Sequence, residues 1–178
     1  MKPLNSHFKD QLSLHFIVFI WGFTAILGRY ISIDALSLVF NRTALTSVAI
    51  AVYMIWKKRP FKASAKELWF MALCGVLIAV HWITFFGAIK IANVSITLAG
   101  VSTGALFSAL LNPLLNKGKL DPIELALGAI VVVGIVIVFY EEPNATTIKT
   151  YTWSGYTLTN YQLGLLIALF SAFFERKF

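Results

Sequence analysis

In a chain of 178 residues, 58% are hydrophobic, 15% aromatic and only 13% charged, and the mean hydropathy is +0.78, far from the roughly 45–50% apolar and ~25% charged make-up of soluble domains. That much apolar surface excludes a water-soluble globular fold and predicts an all-α membrane protein, because backbone groups in hydrocarbon must pair within their own segment. The formal charge of +7 comes in short basic clusters between apolar runs, with no basic amphipathic face or interleaved stacking aromatics; this argues against nucleic acid and leaves the lipid bilayer as the partner.

Residues 1–11 read as a polar N-terminal segment. The first apolar run, 12–33, is long for a signal-peptide core of roughly 7–15 residues, and Arg29 and Tyr30 stand where a small-residue cleavage site would be, so it reads as a retained span. Further spans are expected at 35–56, 68–89, 94–115 and 123–140. The single cysteine, Cys74, lies inside the third and reads as a small buried hydrophobe. Residues 141–161 carry Thr, Asn and Gly and read as an exposed loop. A sixth apolar run, 162–174, would rise only ~20 Å against a hydrocarbon core of ~30 Å. The expected architecture is therefore five transmembrane helices plus a partial sixth, with 162–178 the truncated start of a further unit.

Basic residues give the orientation. The loop KKRPFKASAK holds Lys57, Lys58, Arg59, Lys62 and Lys66; alternating spans put it on one side with Lys2, Lys9, Lys117, Lys119, Arg176 and Lys177, and leave Arg29, Lys90 and Lys149 on the other. That bias predicts a cytoplasmic N-terminus in the plasma membrane, with Glu141 and Glu142 facing outward. The sequon-like Asn144-Ala-Thr146 falls in the outer loop, and Asn41-Arg-Thr43 and Asn93-Val-Ser95 at span edges; short matches of this kind arise often by chance.

Several features recur in a telling order. Trp21-Gly22 and then Arg29 mark the first span, FNRTAL places Arg42 early in the second, HWITFFGAIKIANVS joins the third to the fourth, LFSALLNPLLNKGKL closes the fourth, and LGAIVVVGIVIVFY forms the fifth. Over 12–140 this resembles the first repeat of an EamA-type member of the drug/metabolite transporter superfamily, and YQLGLLIALFSAFF resembles the opening of a second repeat. The resemblance implies a ten-span protein of two inverted five-helix repeats that moves a small metabolite or drug-like solute through a central cavity, with this chain one half of that inverted-repeat transporter. Its partner would be the missing second repeat or a second copy. One departure is Lys119, in a loop where the family usually carries a Glu.

Candidate solute-binding residues are Trp21, Arg42, His81, Trp82, Ser108 and Asn112. Gly100, Gly104, Ser108 and Asn112 recur every four residues on one helical face ahead of Pro113. Such a stripe suits close helix packing, or a polar cavity lined by Ser108 and Asn112 beside a proline-loosened backbone. Gly22, Ala25 and Gly28, and likewise Gly128 and Gly134, read as packing positions. Arg42 lies ~10 Å beyond the start of its span, where it can snorkel to headgroups or attract an anionic, carboxylate-bearing solute. His81 lies ~20 Å into its span and must turn inward. Its donor and acceptor need partners, for which Thr84 is the local candidate; alternatively it lines a cavity with Trp82 and Trp21 as flat walls, or couples transport to protons.

Two rivals come from other classes. GVSTG, 100–104, matches the G-x-S-x-G pattern and with His81 would give an intramembrane hydrolase using Ser102, but a nucleophile elbow needs a strand-turn-helix setting. A free-standing small membrane protein could instead pair antiparallel with itself, which the charge bias opposes. No Walker A sequence, HExxH pair or dinucleotide fingerprint occurs, so neither an enzyme nor a cofactor or metal is expected.

Overall fold

The computed structural model describes residues 4–60, 62–116, 120–141, 148–153 and 155–175. Its helices run in the order α1 (Leu4–Tyr30), α2 (Ala35–Trp56), α3 (Ala65–Ile91), α4 (Val94–Ser102), α5 (Gly104–Asn116), α6 (Pro122–Glu141) and α7 (Asn160–Glu175). Among the described residues, Phe8–Tyr30, Ala35–Trp56, Ala65–Ile91 and Val94–Leu111 are long and apolar enough to cross a membrane, while Pro122–Ile137 and Asn160–Phe173 are apolar but shorter. Lys2, Lys117, Lys119, Glu142, Asn144, Arg176 and Lys177 lie outside the described residues.

Short polar residues start the helices where their backbone donors would otherwise be bare. Asp34 accepts from Ser37 N at 3.0 Å, and Asn93 from Ile96 N at 2.8 Å. Ser64 and Glu67 form a reciprocal capping box at α3. Thr159 and Gln162 repeat that exchange at α7: Gln162 N donates to Thr159 Oγ1 at 3.2 Å and Thr159 N to Gln162 Oε1 at 3.0 Å. Helix ends are held just as locally. Arg29 donates to the carbonyls of Ile89 and Lys90, and Lys90 Nζ donates to the carbonyl of Ile31, so α1 and α3 each lend a cation to the other's negative C-terminal end. The C-termini of α1 and α3 and the N-terminus of α2 therefore share one end of the bundle.

Two features differ from the sequence reading. The expected fourth span is long enough to cross as Val94–Leu111 but is divided at Thr103 into α4 and α5. Ser102 Oγ donates to Ala99 O at 2.6 Å and Thr103 Oγ1 to Gly100 O at 2.7 Å, so two hydroxyls compete for helical carbonyls between two glycines, whereas Pro113 removes a single donor. The expected loop also contains an antiparallel hairpin, β1 (Thr150–Trp153) with β2 (Tyr156–Thr159), in register Thr150 to Thr159 and Trp153 to Tyr156. Gly155, at φ +85°, supplies the left-handed turn residue.

The apolar core lies where α1, α2 and α3 meet: Ala25, Leu38, Val39, Phe85, Phe86 and Ile89 are buried together, with Trp82 packed against them. Gly28 lets the Phe86 ring approach the α1 backbone so closely that a β-carbon would overlap it. A second seam runs between α7 and the α3–α4 pair. Gly164 faces Ala92, and a β-carbon on Gly100 would fall 2.6 Å from that of Ala168, the close small-residue packing that lets helices associate in lipid. Gly128 likewise admits Leu106, whereas a β-carbon on Gly22 or Gly134 would meet nothing within 4 Å among the described residues.

Candidate functional site

A cleft of about 230 Å³ opens between α2 and α3, lined by Val39, Arg42, Thr43, Thr46, Ser47, Trp82 and Phe86. Arg42, Thr43, Thr46 and Ser47 fall within about one and a half turns of α2, and Trp82 and Phe86 are four residues apart on α3, so each wall comes from a single helical face. The two rings stack at 5.6 Å and 21°. Arg42 Cζ sits 5.2 Å from the centroid of Trp82 and 5.1 Å from that of Phe86.

Arg42 lies ~10 Å along α2 from Ala35, and Trp82 and Phe86 lie ~14 and ~8 Å along α3 from Ile91 at the same end of the bundle. The guanidinium thus packs against two rings of α3. The rings hold its charge through their quadrupoles, at about 0.5–2 kcal/mol. They accept none of its hydrogen bonds in the way a carboxylate would. Among the described residues no acceptor bonds the guanidinium, and Thr46 Oγ1 is turned to the Arg42 carbonyl at 2.8 Å. A fixed fork of five donors is thus presented beside a flat apolar surface.

His81, one residue before Trp82, belongs to a different contact. Its Nδ1 lies 3.0 Å from both the carbonyl oxygen and Oγ of Ser171 on α7, and Ser171 Oγ donates to the His81 carbonyl at 2.9 Å. The expected partner, Thr84, instead donates to the carbonyls of Val80 and His81. The His81 ring meets Trp82 edge-on at 5.4 Å and lies nearly parallel to Phe85 at 6.3 Å. An unbroken series of contacts runs from Ser171 through His81 and Trp82 to Arg42.

Of the other sequence candidates, Trp21 sits 70% exposed on α1 and does not line the cleft. Ser108 is half-buried on α5, and the side chain of Asn112 lies outside the described residues. Ser102 is exposed and bonded to its own helix; no hydrogen bond joins it to His81. Sequence reasoning missed Phe86, whose spacing of four from Trp82 was a usable signal. It also missed Ser171 and Asn160, the latter a buried amide that accepts from Lys149 N at 3.2 Å and donates to the Ile91 carbonyl at 3.3 Å. Among the described residues no group of three or more His, Cys, Asp or Glu is arranged to hold a metal.

Long apolar helices covered by exposed large hydrophobic side chains, around a cleft that joins one cation to two aromatic rings, define a multi-pass membrane protein in contact with lipid. The sequence profile of the EamA-like transporter family matches residues 12–140. The chain belongs to that family and is a membrane transporter of the drug/metabolite type, a class that carries small solutes. Comparisons with curated proteins and with solved structures return no match.

Proposed function

We propose that the chain is the first half of an inverted-repeat secondary transporter of the plasma membrane, with a cytoplasmic N-terminus, five spans over 12–140 and α7 as the first helix of a second repeat. The facing half of the pathway comes from that repeat or from a second copy. The solute carries an anionic group, received by Arg42, and a flat apolar body laid against Trp82 and Phe86. Ser108, Asn112 and His81 contribute from α5 and α3, and Trp21 meets the solute only if α1 is recruited as the halves assemble.

The observation that carries this reading is Arg42 itself, a cation within a spanning helix, cradled by two rings and lacking any acceptor among the described residues. Insertion scales charge about 2.5 kcal/mol or more for such a residue at mid-membrane, so a site that merely packed would be better served by Met or Leu. Benzoate and benzamide, alike in shape and different in charge, provide the test. In the full chain in nanodiscs, with Trp21, Trp56, Trp69 and Trp153 replaced by Phe, Trp82 fluorescence should change saturably with benzoate and not with benzamide. Arg42→Gln should abolish the response, and Arg42→Lys should weaken it roughly 10- to 100-fold by losing the bidentate geometry. Equal responses to both probes, or a wild-type response in Arg42→Gln, would overturn the assignment.

A further inference from the structure

The contact between α3 and α7 decides where His81 keeps its proton. A carbonyl oxygen only accepts, so the Ser171 carbonyl 3.0 Å from His81 Nδ1 requires a hydrogen on that nitrogen; a bare Nδ1 would set two lone pairs against each other. The single Ser171 hydroxyl proton goes to the His81 carbonyl 2.9 Å away, which leaves Oγ free to share the Nδ1–H as a second acceptor. Every donor in the exchange then has an acceptor. Ser171 is fully buried, so water does not offer its hydroxyl another partner. A neutral imidazole carries one N–H, and with that proton on Nδ1 the opposite nitrogen, Nε2, holds a lone pair. Among the described residues Nε2 has no hydrogen-bond partner.

We propose that the Ser171 clasp locks His81 in the Nδ1–H tautomer and so presets Nε2 as a hydrogen-bond acceptor for a neutral donor on the transported solute, a hydroxyl or an amide N–H, with Ser171 as the positioning residue. A neutral donor is favoured over an ammonium because Arg42 packs on the same Trp82 ring that the imidazole touches, so a positive charge stands one ring away. The solute part of this inference rests on the transport reading above; the tautomer part does not. It gives the first helix of the second repeat a role in a site built mainly from the first.

The test is 15N NMR of the histidine rings in the full chain in nanodiscs, with the His81 signals identified by their loss in His81→Gln. The expected spectrum has Nδ1 protonated and Nε2 bare, and Nε2 shifts saturably with benzyl alcohol but not with benzyl methyl ether, which offers no donor. Ser171→Ala keeps the backbone carbonyl and should keep the tautomer. Ser171→Val adds bulk at a fully buried position, displaces α7, and should bring in the Nε2–H form and abolish the benzyl alcohol shift. An Nε2–H tautomer in the unaltered chain would overturn the clasp. An Nδ1–H tautomer whose Nε2 ignores benzyl alcohol would overturn the acceptor role while leaving the benzoate test of Arg42 unaffected. Should Ser171→Val fail to fold, the unaltered chain and Ser171→Ala decide the matter.

Discussion

Arg42 is a place where function and stability pull apart. Its insertion cost, about 2.5 kcal/mol at a span centre and less towards the edge, is set against the ~0.5–2 kcal/mol that ring contact returns, leaving a net penalty of up to about 1 kcal/mol. Arg42→Met, similar in length and apolar, should therefore raise the thermal midpoint of the detergent-solubilised chain by up to about 4 °C while eliminating the benzoate response. A lower midpoint would show that the guanidinium is structural. Asp34 makes the opposite kind of contribution, since its charge holds a helix start. Hydrogen bonds from the Ser37 hydroxyl and then from the Ser37 amide hold its carboxyl below the ordinary value of 3.8. A depressed carboxylate stabilises where it is ionised, so the contribution is present above pH 3.8 and is lost as pH falls through the lower folded value. The protection factor of the Ser37 amide should fall in that acid window, and Asp34→Asn, which still caps, should remove that fall. At this scale the sequence spoke clearly about residue type and poorly about partners. Arg42 and Trp82 were legible as conspicuous residues in apolar runs, but Ser171 lies 90 positions from His81, and no local spacing indicates which distant hydroxyl an imidazole will find.

Elements were easier to foresee where a single apolar run decides them. The second span, 35–56, coincides with α2 because Asp34 and Pro60 bracket it; α3 begins a turn before the third apolar run, 68–89, because the capping box of Ser64 and Glu67 draws polar residues into it. The hairpin is hidden by Thr content that reads as loop character, although TYTW and YTLT, joined through a glycine, have the β-branched and aromatic alternation of paired strands. Small residues carry the packing, and their roles differ sharply along the chain. A β-carbon on Gly164 would collide with that of Ala92 and press on the Ala92 backbone nitrogen at 3.3 Å, whereas one on Gly22 meets nothing within 4 Å. Gly164→Val should accordingly cost about 1–3 kcal/mol, some 2–10 °C in the thermal midpoint, by prising α7 from α3. Gly22→Ala should be neutral or stabilising by up to about 1 kcal/mol through its better helix propensity. Thermal melts of the two variants side by side check the seam, and equal effects would mean that α7 is not held there.

For the whole molecule, the arrangement of charge sets what faces each compartment. Arg29 and Lys90 are tied to helix-end carbonyls at one end of the bundle, so the few cations there already serve the fold. At the other end Lys57, Lys58 and Arg59 close α2, with Lys58 in the left-handed conformation at φ 51°, and Lys62 and Lys66 follow. A dense basic loop is retained on the cytoplasmic side during insertion, which predicts that the hairpin, three crossings further on through α3, the α4–α5 pair and α6, faces outward. With Cys74 replaced by Ala, a Lys58→Cys chain in intact cells should resist a membrane-impermeant maleimide until the cells are opened, while a Thr157→Cys chain should be labelled at once. The reverse pattern would invert the whole bundle and place the Arg42 cleft near the inner leaflet. Equal labelling of both positions would indicate insertion in both orientations, the behaviour expected of an antiparallel self-pairing protein and not of one half of a fixed inverted repeat.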